Sequence, residues 1–204
     1  MVVKEIIKDM LPSMWPLIVF VSVVAISLRL AYLNGSKKFV LHKEVMALVF
    51  IIYILCLYFV VTAQDINYGG INLIPFREMF RYEFGSYKFM KNIIGNILLF
   101  VPYGFFSSYY LNNKKVGTNV LLCFIATFCI ESIQYYIGRV FDIDDIILNV
   151  FGGFCGYLLF ISLNAIKNKL PRFMRSDTFL NFIVILIIGL CIVCGFNIDI
   201  LSYI

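Results

Sequence analysis

Six mainly apolar stretches, at 14–33, 44–63, 92–111, 118–137, 145–164 and 178–197, dominate this chain of 204 residues. A helix needs about 20 such residues to cross the hydrocarbon core of a bilayer. At that depth no water is present to satisfy the backbone, so each run has to close its own hydrogen bonds as helix. Of all residues, 62% are hydrophobic and 14% charged, against roughly 25% charged in a soluble domain. The fold class read from this pattern is all-α: a polytopic transmembrane helical bundle of five or six membrane helices, one integral membrane domain over 1–204. The fifth run is the weakest. It begins at Asp145, carries Asn149 and contains Gly152, Gly153 and Gly156, so it reads either as a full span or as a re-entrant helix shielded by protein.

The first run has no small-residue cleavage pattern after it and reads as a retained helix. Ahead of it, residues 2–11 form a candidate interfacial amphipathic helix. Val2, Val3, Ile6, Ile7, Met10 and Leu11 would face lipid, and Lys4, Glu5, Lys8 and Asp9 water. The net charge of +5 suits membrane interfaces, and without a dense basic patch or recognition motif no nucleic-acid partner is expected. All six cysteines lie in apolar runs and read as small core residues. His42, beside Lys43, reads as a surface histidine.

Cations cluster in the first, third and fifth connections: Lys37, Lys38 and Lys43; Lys114 and Lys115; Lys167, Lys169, Arg172 and Arg175. The positive-inside rule makes these cytoplasmic and both termini extracytoplasmic. The second connection, with Arg77, Arg81, Lys88 and Lys91, runs against the rule. Its cations belong either to a site or to lipid headgroups.

The polar residues inside the runs carry the functional reading. Glu131 interrupts the apolar sequence TFCIESIQYYIGR, and an ionisable group at membrane depth is costly enough to suggest a role. Gln134 follows Glu131 by three positions; Asn96 follows Asn92 by four, and Asn149 follows Asp145 by four. Those spacings put each pair on one helical face. In the expected topology the pairs converge on the outer side of the membrane, with Arg139, Asp142 and Asp144 close by. Arg77 and Arg139 are candidates for holding an anionic group through the planar guanidinium fork. Asn92, Asn96, Gln134, Asp142 and Asn149 are further ligand-binding candidates. The competing reading is a buried network that only pins helices together. Pro75, Pro102, Gly104, Gly152, Gly153 and Gly156 read as structural: a turn, a helix kink and close helix approach. Asp142, Asp144 and Asp145 are a candidate set for a divalent cation; no other cofactor is expected.

Three blocks in fixed order, NLIPFR at Asn72–Arg77, NIIGNILLFVPYGF at Asn92–Phe105 and ESIQYYIGRVFDIDDIILNVFGG at Glu131–Gly153, resemble the VanZ-like family of bacterial membrane proteins. The resemblance covers a core of residues 50–165. Asn72, Pro75, Arg77, Asn92, Asn96, Pro102, Gly104, Glu131, Gln134, Arg139, Asp142, Asp145, Asn149 and Gly152 occupy the matching positions. The resemblance implies a multi-pass protein of a bacterial plasma membrane and a link to resistance against teicoplanin, a lipid-bearing glycopeptide. It equally fits a general envelope role.

Three functions compete on these residues. One is an outward-facing intramembrane site that binds a membrane lipid, a lipid-linked cell-wall component or a lipoglycopeptide. Another is an enzyme acting on an envelope lipid, with Glu131 and Asp145 as acid–base groups. A third is a small lipid transporter or flippase, although no paired half-repeat is evident.

Overall fold

The computed structural model describes residues 40–62, 70–112 and 114–201, together with helical positions 19, 21–23 and 26; side chains are described through Leu190. The candidate interfacial helix at 2–11 and most of the first apolar run fall outside the described residues. Five long helices follow: α1 (Leu41–Thr62), α2 (Tyr87–Leu111), α3 (Val116–Tyr136), α4 (Ile143–Lys169) and α5 (Asp177–Leu201). Helices α1 to α4 are long and apolar enough to cross a membrane, and the architecture is an all-α bundle. The fifth apolar run needs no re-entrant turn, because α4 continues for 27 residues through Gly152, Gly153 and Gly156.

Contacts divide the chain into two compact units. One includes Tyr53–Ala165; the other combines Met14–Ile52 with Ile166–Ile204. In the second unit His42 departs from the surface position expected of it. Its side chain is only 12% exposed, with Nε2 3.8 Å from Asp177 Oδ1 and Nδ1 3.0 Å from Asn181 Oδ1. The Asn181 oxygen also accepts the His42 backbone N–H at 2.9 Å. An N–H in the first turn of α1 has no intrahelical acceptor, and Asn181 supplies one.

The first unit is held by close approach of α2 and α4. A Cβ on Gly104 would strike the backbone of Gly153, one on Gly152 the backbone of Ile97, and one on Gly156 the backbone of Val101. Glycine is required where backbones meet this closely, and small residues are the usual means of packing helices in lipid. Pro102 lies inside α2 without ending it. It donates no hydrogen bond, and nearby the Leu99 carbonyl accepts the Tyr53 hydroxyl at 2.8 Å. At the far end of α3, the Tyr157 hydroxyl donates to the Lys114 carbonyl at 2.8 Å.

At the other end two very short strands pair in parallel. β1 (Ile71–Asn72) lies beside β2 (Phe141–Asp142), with Ile71 opposite Phe141 and Asn72 opposite Asp142. This pair clips the connection before α2 to the connection between α3 and α4.

Candidate functional site

The site is built where these connections meet. In the turn Ile74–Arg77, Pro75 occupies the second position and the Arg77 N–H donates to the Ile74 carbonyl at 3.4 Å. Phe76, at the third position, has φ 67°, a left-handed conformation that normally favours glycine in such a turn. Asp144 holds it there. Its Oδ1 accepts the Phe76 N–H at 2.5 Å, and its Oδ2 accepts the N–H groups of Glu78 at 2.8 Å and Met79 at 3.2 Å. One carboxylate at the start of α4 thus saturates three backbone donors of a segment almost seventy residues earlier.

Asp142 extends the junction. Its Oδ1 accepts Asn72 Nδ2 at 3.0 Å and the Asp144 N–H at 2.9 Å. Its own N–H donates to Glu131 Oε2 at 3.1 Å. Burial pushes the Asp142 carboxyl above its ordinary value; the Asp144 N–H opposes that shift, the Asp144 carboxylate adds to it, and the Asn72 amide opposes it.

Glu131 is 1% exposed and lies on the buried stripe of α3, with Asn119, Cys123, Thr127 and Gln134. Asn96 Nδ2 donates to Asp145 Oδ1 at 2.5 Å, joining α2 to α4. One turn deeper, Asn149 Nδ2 donates to Thr127 Oγ1 at 2.9 Å, while the buried Asn149 Oδ1 has no hydrogen-bond partner among the described residues. Gln134 Nε2 and Arg139 Nη1 both donate to the Val61 carbonyl, at 3.3 and 3.2 Å. Val61 lies in the last turn of α1, where carbonyls lack intrahelical donors. Lys114 and Arg139 flank opposite ends of the 21-residue helix α3.

Glu131, Gln134, Arg139, Asp142, Asp144, Asp145, Asn96 and Asn149 therefore come together at one end of the bundle. Arg77 is exposed and stands outside this network. Asn92 lies in a one-turn π-helical segment, Met90–Ile94, within α2, and also stands outside it. The carboxylate trio is not arranged as a metal site: among the described residues no three His, Cys, Asp or Glu side chains are placed to hold an ion. Asp144 commits both oxygens to the Phe76–Met79 turn, while Asp142 and Asp145 each commit one to an asparagine.

A cavity of about 440 Å³ is apolar and lined by residues such as Phe124, Ile146 and Phe154. A second, of about 360 Å³, lies against the start of α2. Neither is lined by Glu131, Asp145 or Asn149.

Several residues of the site were not singled out in the sequence. Thr127 forms a layer with Asn149, and further along α3 Asn119 Nδ2 donates to the Gly104 carbonyl at 3.1 Å and Ser108 Oγ at 2.8 Å. The signal was there in the four-residue spacing of Asn119, Cys123, Thr127 and Glu131, which places all four on one face.

The VanZ/LLP1 family model matches residues 45–166, which takes in every residue of the network. The chain is 28% identical over 140 residues to Protein VanZ of Enterococcus faecium, covering 67% of this chain and 78% of that protein. No solved structure matches it. With four helices able to span a bilayer and more than half its length within the family model, the chain is a membrane protein of the VanZ/LLP1 family.

Proposed function

We propose that this protein binds a lipid-linked or amphiphilic cell-envelope molecule at the end of the bundle where the Glu131 network lies. In this reading that end faces the extracytoplasmic leaflet of a bacterial plasma membrane, as the cation distribution favours. The observation that carries it is the convergence of ionisable and amide side chains from α2, α3, α4 and their connections at one end of helices long enough to span. Arg77 and Arg139 would meet an anionic group. Asn92, Asn96, Gln134 and Asn149 would orient polar parts, and Asn149 Oδ1 still has an acceptor to offer. Exposed apolar side chains of the preceding segment, Phe80 and Phe84 above all, at 86% and 92% exposure, suit contact with acyl chains. Retention of a lipoglycopeptide such as teicoplanin at this surface would give a resistance phenotype without chemistry.

A second reading is favoured by one feature. Glu131 and Asp145 bring two carboxyl groups to the same end of the bundle, Glu131 through the Asp142 N–H and Asp145 through Asn96, and paired carboxyl groups can divide acid and base roles. Wild type and Glu131→Gln, reconstituted in vesicles with a lipid-linked cell-wall precursor, separate the two. Retention by both proteins without a new product supports binding. A product formed by wild type and lost in the variant transfers the assignment to catalysis. Neither retention nor product overturns both.

A further inference from the structure

The cavity of about 360 Å³ is lined by Arg81, Tyr82, Tyr87, Lys88, Lys91 and Asn92. Three of its six lining residues are cations, and no acidic side chain lines it. Arg81 Nη1 is engaged by Glu78 Oε2 at 3.1 Å, a pair that leaves Arg81 largely exposed. Lys88 and Lys91 form no ion pair among the described residues. Both line this one cavity. Asn92 is half-buried and its amide makes no hydrogen bond among the described residues. It is brought to the cavity by the π segment Met90–Ile94, which widens one turn at the mouth of α2. Such segments recur at functional sites because they re-aim a side chain without ending the helix.

The geometry points to a phosphate-group site in this cavity, the headgroup position for the amphiphile of the proposed function. Two ammonium groups supply the charge, and the Asn92 amide and the two tyrosine hydroxyls supply directional donors. Four residues further along α2, Asn96 contacts Asp145, so a headgroup held here sits beside the network rather than within it. The exposed Phe80 and Phe84 lie in the segment just before the cavity, which favours a phosphate that arrives on a lipid. This inference rests on the amphiphile-binding reading for the identity of the ligand, but on the cavity alone for its chemistry.

Native mass spectrometry of the full-length protein in detergent tests it. The probes are dioleoylphosphatidic acid, dioleoylglycerol (the same chains without phosphate) and inorganic phosphate. The expected result is phosphatidic acid retained at least tenfold more tightly than dioleoylglycerol. That preference should be lost in the Lys88→Gln/Lys91→Gln double variant and kept in Lys88→Arg/Lys91→Arg. Both lysines are exposed, so folded yield should not change. Equal retention of both lipids, or an unaltered preference in the double glutamine variant, overturns the phosphate site and leaves amphiphile binding standing. Binding of inorganic phosphate with neither lipid retained supports the phosphate site and overturns the amphiphile reading. Failure of all three probes overturns both.

Discussion

The backbone N–H of Asp142 donates to Oε2 of Glu131 at 3.1 Å, joining a carboxyl group near the C-terminal end of the apolar helix α3 to the strand that leads into the next helix. Through Asp142 the same contact reaches Asn72, and through Asp144 it reaches the Pro75 turn. These contacts form one connected junction within the polar end of the bundle, and its members should respond differently to substitution.

Glu131→Gln keeps an oxygen able to accept the Asp142 N–H, so its melting temperature in detergent should lie close to that of wild type. Glu131→Leu strands that donor, at a cost of about 1–3 kcal/mol for an unsatisfied buried group. A lower melting temperature for the leucine variant alone is the expected outcome; equal destabilisation by both would mean that charge, not the hydrogen bond, matters.

Asp144 should be the most sensitive of the acidic residues. Asp144→Ala removes the acceptor for three N–H groups, and hydrogen bonds to a charged group are worth about 1.5–3 kcal/mol each in favourable cases. Amide exchange at Phe76, Glu78 and Met79 should accelerate sharply, with proteolysis appearing between residues 71 and 81. Exchange as slow as in wild type would remove Asp144 from its role as the clamp of this turn.

Gly156→Ala and Gly152→Ala drive a methyl group into the backbone of Val101 and Ile97. Overpacking typically costs about 1–3 kcal/mol. Gly153→Ala meets the Cys123 side chain, and a Gly153→Ala/Cys123→Ala double variant should recover much of the loss. Comparison of folded yields by size-exclusion chromatography checks the order.

Asp142 gives a pH signature. Its carboxyl is raised in the fold by burial, so the folded state binds its proton more tightly than the unfolded chain does. The favourable contribution is fully present below the unfolded value, roughly 3.9, and is lost as pH rises through the higher folded value. Asp142→Asn, which retains an acceptor for Asn72 and for the Asp144 N–H, should therefore gain stability relative to wild type as pH is raised from about 4 towards neutrality. Melting curves of both proteins across that range decide it; a constant difference would contradict the assignment.

Much of this was legible in the sequence because lipid imposes a strict code. Continuous apolar runs gave the spans, and the cost of Glu131, Asp145 and the asparagines at that depth marked them for attention. Their convergence at one end followed from alternating helix direction. What escaped notice was carried by geometry without a periodic signal. The β1–β2 pair is two residues long, too short to show alternation. Asp144 reads as one more loop acid until its three backbone donors are seen, and they come from another part of the chain. Thr127 and Asn119 are mild interruptions of an apolar helix and show only as multiples of four from Glu131. His42 lies beside Lys43 in sequence, but its environment is set by Asp177 and Asn181.

The most direct measurement is the lipid retained by the protein itself. Mass-spectrometric profiling of wild type and Arg77→Ala, purified in parallel with a sample of the source membrane, should show one anionic or lipid-linked class enriched well above its membrane share in wild type. The exposed Arg77 should be dispensable for folding yet needed for that enrichment, with several-fold less in the variant. Lipids retained by wild type in simple proportion to the membrane would contradict a binding site at this end of the bundle.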